Sequence, residues 1–239
     1  MLWVDLKFLS RNWHKTLATT LVAPVLYLLA FGYGLGRGVT IEGYSYLEFV
    51  IPGIVSLTAM TTAFNAAGMK LHVDRLFYKC FDEALMSPIS FFSIIVGKTL
   101  IGVVRGLIST AALLAACFFF SPLPAVSALF WLTLVVTCFV FSFLGVLVAL
   151  IAKSHQDMSV FMSLVILPMA FLSGTFFSLD QVPDAMRIVL SLSPLTPASL
   201  CLRASALGQP FPWLSLAVLS GFGVVFFGLC FAALRRTSL

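Results

Sequence analysis

The chain has 239 residues, of which 61% are hydrophobic and only 10% charged, and its mean hydropathy is +1.09. Soluble domains carry about 25% charged residues, so this composition excludes an ordinary soluble fold and calls for a bilayer. The net charge of +5 then reads as membrane topology rather than nucleic-acid binding, because Lys and Arg mark the cytoplasmic side.

At about 20 apolar residues per crossing, the sequence predicts an all-α integral membrane protein with six transmembrane helices in a single domain, 1–239. Residues 1–16 place Leu2, Leu6, Leu9 and Trp13 on one helical stripe, with Lys7, Arg11, His14 and Lys15 away from it. That pattern suits an interfacial amphipathic helix; the plainer reading is a short cytoplasmic tail. A cleavable signal peptide is not expected, since a full-length apolar run follows and no small-residue cleavage site.

Span 1 covers 17–36, with Pro24 inside it. Span 2 covers 48–69, where Pro52 and Gly53 predict an irregular first turn. Residues 70–92 form the longest polar loop. Span 3 runs over 93–120 with Lys98 and Arg105 in its first half, and Ser121-Pro122-Leu123-Pro124 turns the chain into span 4, 125–151. Span 5 covers 158–177. Residues 178–210 hold two apolar stretches, 183–192 and 196–207, separated by Ser193-Pro194. They are too short to cross a bilayer and suit short re-entrant or interfacial helices on the outside. Span 6 covers 212–234.

Six spans put both termini on one side. That side collects Lys7, Arg11, Lys15, Lys70, Arg75, Lys79, Lys153, Arg235 and Arg236, with Lys98 near the boundary. The opposite side has Arg37, Arg187 and Arg203, so both termini are expected in the cytoplasm.

In the 70–92 loop, a helix over 74–86 would place Phe77, Cys80, Phe81, Ala84 and Leu85 on one face. Arg75, Lys79, Asp82 and Glu83 take the other positions, and Ser87-Pro88 stops it. Such a helix either docks in a groove on a soluble partner or lies on lipid headgroups. Arg105 has two readings as well: a functional charge in hydrocarbon, or a snorkelling or ion-paired side chain. Gly97-Lys98-Thr99 is not a phosphate-binding loop, because Phe92 stands where the pattern needs glycine and no strand precedes it. Gly102 and Gly106 permit close helix packing.

The histidines, His14, His72 and His155, all fall in cytoplasmic segments, and no Asp or Glu is expected mid-span. This argues against an intramembrane protease and against an ion-coupled carrier. The five cysteines match no zinc or redox spacing, and Cys117, Cys138 and Cys230 in apolar runs act as small hydrophobes. No metal ligands or catalytic residues are expected.

Three stretches carry a family likeness: GYSYLEFVIPGIVSLTAM from Gly43, EALMSPISFFSIIVGKTL from Glu83, and LPMAFLSGTFFSLDQVPDAMRIVLSLSPLTPASLCLR from Leu167. They resemble the type-2 ABC exporter permeases, with nodulation lipo-oligosaccharide and daunorubicin-type exporters as the nearest flavour. Two departures are Phe81-Asp82-Glu83-Ala84, where Gly-Thr often precedes the acidic position, and Pro197, where a polar or aromatic residue is common.

The resemblance implies that two copies, or two related chains, pair in a bacterial inner membrane, the simplest case being a homodimer. Each would bind a separate ATPase subunit, two copies in all, which carries the ATP and Mg; this chain binds no cofactor itself. The helix at 74–86 and the N-terminal helix would touch the ATPase, with Asp82 and Glu83 at the contact and Arg75 and Lys79 as supporting charges. Pro52, Gly53, Phe64, Asn65 and Arg105 would lie along the translocation path. Pro183, Pro194 and Arg203 would belong to the outer gate. The implied cargo is an amphipathic lipid, glycolipid or hydrophobic drug, in keeping with spans too apolar for a small ion. Two further readings are a membrane scaffold that docks a soluble protein without transport, and an ion-coupled carrier.

Overall fold

The computed structural model describes residues 2–35, 40–41, 43–79, 81, 86, 89–117, 127–177, 183 and 190–237. They form a helical bundle organised around one central helix. Helix α1 (Leu2–Tyr27) passes without a break through the expected boundary at residue 16 and continues as a π-helical stretch, Leu28–Leu35. A short hairpin follows, β1 (Thr40–Ile41) and β2 (Tyr44–Ser45), paired Thr40 with Ser45 and Ile41 with Tyr44. Gly43 in its turn has a φ of 82°, a conformation that glycine alone adopts freely.

Helix α2 (Tyr46–Leu76) starts where the Ser45 backbone N–H donates to Glu48 Oε2 at 3.0 Å. It is helical through Pro52, so the irregular first turn expected there is not found. The reason is packing: Phe49 to Ala59 is buried throughout, and a surrounded helix holds its path even where proline removes one hydrogen bond. The remaining elements are α3 (Phe91–Cys117), α4 (Ala128–Ile151), α5 (His155–Leu172), α6 (Leu195–Leu207) and α7 (Trp213–Thr237). Within α5 the stretch Met162–Ile166 is π-helical and leads into Pro168, a usual cause of such a departure. Helix α6 ends at Gly208 with a φ of 67°, and the Gln209 N–H closes the turn on the Ala204 carbonyl.

Among the described residues, α2, α3, α4, α5 and α7 are long and apolar enough to cross a membrane, whereas the apolar part of α1 is the shorter Thr16–Ala30. Six crossings were expected, so the difference lies in α1, whose polar N-terminal half shares one helix with the apolar half.

Helix α2 packs on α3, α4 and α6; α4 also packs on α7, and α1 on α3. These contacts are close because small residues face each other. A Cβ on Gly68 would lie 2.8 Å from the Gly145 carbonyl oxygen, and one on Gly145 would lie 2.5 Å from that of Phe64. Gly102 would meet the Ala63 carbonyl at 2.7 Å, and Gly106 the Cys138 Sγ at 2.8 Å. The Gly102–Gly106 spacing therefore seats α3 against both α2 and α4. By contrast α5 and α7 expose apolar side chains such as Leu164, Leu167, Leu214 and Val224, as suits hydrocarbon.

Gly145→Leu should overpack the α2–α4 crossing and cost at least about 1–3 kcal/mol, read as a lower melting temperature in detergent. Gly97→Ala should be neutral or stabilising by up to about 1 kcal/mol, since nothing lies within 4 Å of that position. Equal melting temperatures for the two variants would refute this packing.

Candidate functional site

At the Leu76 end of α2 a polar cluster is sealed inside the bundle. Asp74 and Lys98 are 8% and 5% exposed, and Lys98 Nζ lies 2.5 Å from Asp74 Oδ2. Lys70, one turn back on α2, reaches Asp74 Oδ1 at 3.3 Å. The pair joins α2 to α3. Arg75 turns into the bundle as well: its Nη1 donates to the carbonyls of Ala149 (3.1 Å), Leu150 and Ala152 (3.4 Å). Those are the free carbonyls at the end of α4, where a cation is favoured by the helix dipole. His72 is fully buried beside them, its ring 6.0 Å from that of His155 at the start of α5. Neither His72 ring nitrogen has a hydrogen-bond partner among the described residues. Asp157 accepts from the Lys153 and Ser154 backbone N–H groups and fixes the start of α5.

This arrangement corrects the start of the expected helix at 74–86, while Phe81 and Met86 within that range are helical. Asp74 and Arg75 belong to α2, which ends at Leu76. The chain then bends at Phe77 and Tyr78, whose N–H groups both donate to the Val73 carbonyl, and Lys79 takes a left-handed φ of 52°. The apolar face drawn through Phe77 and Phe81 is split: Phe77 is 70% exposed and Tyr78 67%, while Phe81 is buried against Leu71, Ile95 and Leu150. Met86 is also exposed. Asp82 and Glu83 lie outside the described residues.

At the opposite end of α2, Arg203 of α6 is buried. Its Nε donates to the Phe49 carbonyl at 3.3 Å, its Nη2 to the Gly174 carbonyl at 2.8 Å, and its guanidinium covers the Phe49 ring at 3.7 Å. It thus ties α6 to α2 and to the bends at 173–177. Gly53 lies under the same bends, where a Cβ would come 2.5 Å from the Thr175 carbonyl. Pro194 is buried and opens α6, Pro52 is buried within α2, and Pro183 is exposed. Midway along the bundle, Phe64 is buried and stacked on Phe161 at 5.8 Å. Asn65 and Arg105 are half-buried. Arg105 Nε is buried with no hydrogen-bond partner among the described residues.

The residues expected along one path therefore divide. Pro52, Gly53 and Phe64 are packed in the core, and only Asn65 and Arg105 keep partial access. The Asp74–Lys98 pair was not anticipated. Its one sequence signal is the Lys70/Asp74 spacing of a helix turn; Lys98 stands 24 residues further on.

A bundle of apolar helices of membrane-crossing length, locked by small-residue crossings and with most of its buried charges held in a pair or on backbone carbonyls, is the architecture of an integral membrane protein. The chain belongs to the ABC-2 type transporter family, whose match covers residues 1–207. It is 30% identical over 246 residues to the inner membrane transport permease YadH of Escherichia coli strain K12, covering 98% of this chain and 96% of YadH. It is similarly 30% identical to nodulation protein J of Rhizobium leguminosarum bv. viciae, over 94% of this chain and 90% of that protein. The protein of the same name in Rhizobium meliloti is 27% identical over 94% of this chain and 88% of its own length.

Asp74→Asn or Lys98→Met alone should each cost about 3–5 kcal/mol by stranding a buried charge, and the double variant should recover most of it. Melting temperatures of the three variants in detergent measure the coupling; strictly additive losses would mean the pair does not interact.

Proposed function

We propose that this chain is the membrane-spanning half of an ATP-driven exporter for an amphipathic substrate. It has six crossings, with α1 supplying the first, and both termini are cytoplasmic in a bacterial inner membrane. The observation that carries this reading is the end of α2. Phe77 and Tyr78 stand exposed beside the Asp74–Lys98 pair and the Arg75 clamp. A soluble ATPase seated on those aromatics would push on α2, and the buried ion pair and clamp would pass the movement to α3 and α4. Exposed aromatic side chains are the usual anchors of such contacts. Asp82 and Glu83 are the acidic residues for the same interface, with Lys79 beside them.

ATP and Mg belong to the partner subunit, present in two copies on a pair of permeases. The exposed apolar faces of α5 and α7 meet lipid or the second permease. Arg203, with Pro194 and Pro183, serves the outer gate by holding the connection between α5 and α6 on α2. The path itself follows the half-buried Asn65 and Arg105, with Phe64, Pro52 and Gly53 shaping the wall behind it. An amphipathic cargo fits spans this poor in polar side chains.

Co-purification with a co-expressed ABC ATPase subunit from the same organism tests the reading. A stable complex is expected whose ATP hydrolysis in lipid vesicles responds to lipids, glycolipids or hydrophobic drugs; absence of any complex would favour a scaffold. Phe77→Ala with Tyr78→Ala should weaken the complex at least about tenfold. Glu83→Lys should insert normally yet abolish the cargo-stimulated part of ATP hydrolysis, and unchanged transport would remove Glu83 from the coupling contact.

A further inference from the structure

We infer that Arg105 binds the acidic headgroup of the cargo, a phosphate, sulfate or carboxylate on an amphiphile, an inference that rests on the exporter reading above. Arg105 lies at the middle of the 27-residue α3. Lys98, seven residues nearer the helix start and so about 10 Å away along the axis, is already committed to Asp74. The chain's nine acidic residues are at positions 5, 42, 48, 74, 82, 83, 157, 180 and 184. Those within the described helices all lie in a first or last turn: Asp5 in α1, Glu48 and Asp74 in α2, Asp157 in α5. Among the described residues, no carboxylate belongs to the middle of a helix.

Snorkelling does not resolve the charge. With Lys98 near the boundary, Arg105 lies about 10 Å inside it along the axis, and its Nε is buried in the bundle rather than extended towards that boundary. The guanidinium is not packed away like that of Arg203. On the helical wheel Arg105 sits at a seam, with buried Gly102 and Ser109 on one side and exposed Ile108 on the other. Its Nε is buried without a hydrogen-bond partner among the described residues, and the residue as a whole is half-open. A guanidinium offers a planar fork that matches phosphate and carboxylate oxygens. An unpaired ionised group at this depth is a site for a counter-charge from outside the chain, and a negatively charged headgroup passing along α3 supplies it.

The test uses the full chain with its ATPase in phosphatidylcholine nanodiscs, without ATP, so that binding is read independently of ATP hydrolysis. A diazirine-bearing dodecyl phosphate and the matched dodecyl alcohol are compared for saturable cross-linking. The wild type should prefer the phosphate by roughly tenfold or more and be labelled within residues 98–112. R105Q should lose the preference and R105K keep most of it. An R105Q protein with the wild-type preference overturns the assignment, as does wild-type labelling elsewhere, which needs no variant to fold. Repeating the experiment in phosphatidylglycerol nanodiscs separates the two sources of an anionic headgroup. A preference that persists there assigns the site to cargo, and one that disappears assigns it to a bilayer lipid and overturns the cargo inference. If the ATPase fails to co-purify while the phosphate preference stands, the exporter reading fails and the Arg105 site survives.

Discussion

A helix surrounded on every side inside an apolar bundle cannot relieve a steric or electrostatic mismatch by turning it towards lipid or water. Helix α2 is such a helix, buried almost continuously from Phe49 to Leu71. Its contacts must be made with small residues and its charges must be matched. Gly53, Ala63, Ala67 and Gly68 meet the first demand, each against a backbone or short side chain of the neighbouring element. Asp74 meets the second by sitting between Lys70 and Lys98. The rest of the bundle takes its position from this helix, because α3, α4 and α6 all pack on it directly.

The two ends of α2 are held by different chemistry. At the Leu76 end the ties are ionic and dipolar: a carboxylate to an ammonium on α3, and a guanidinium to the carbonyls closing α4. At the Tyr46 end they are neutral acceptors around one cation, the Phe49 and Gly174 carbonyls on Arg203, joined by the Tyr46 hydroxyl donating to the Phe176 carbonyl at 3.1 Å. Both ends thus place an arginine on backbone carbonyls, which engages its donors without a buried acid. Arg105, between them, has no such arrangement.

Helices α3, α4 and α7 were legible in the sequence to within a few residues, because long, mostly apolar runs end there at polar or proline-containing segments. The last turns of α2 were not. Lys70, Asp74 and Arg75 read as a polar loop when each is taken singly, and become tolerable in a helix only through Lys98 and the α4 carbonyls, which are remote in sequence. The same remoteness hid the role of Arg203, read as a charge outside the membrane and found buried on Phe49. Gly102 and Gly106 were legible as a packing pair, though not which helices they receive, since a spacing carries no address. Asp82 and Glu83 rest on the family likeness, and the chain around them lies outside the described residues.

The π-helical stretch in α5 has a bearing on how this family's chains vary in length. A π turn holds one more residue than an α turn over nearly the same rise, so everything after Met162–Ile166 is rotated by about 100° relative to an uninterrupted α-helix. Phe171 owes to that rotation its place against Tyr27 of α1, at 6.5 Å between ring centroids. A relative lacking a single residue here would form a regular helix of equal height but aim a different stripe of side chains at α1. Alignment gaps of one within this helix would then mark a change of neighbour rather than a shorter loop.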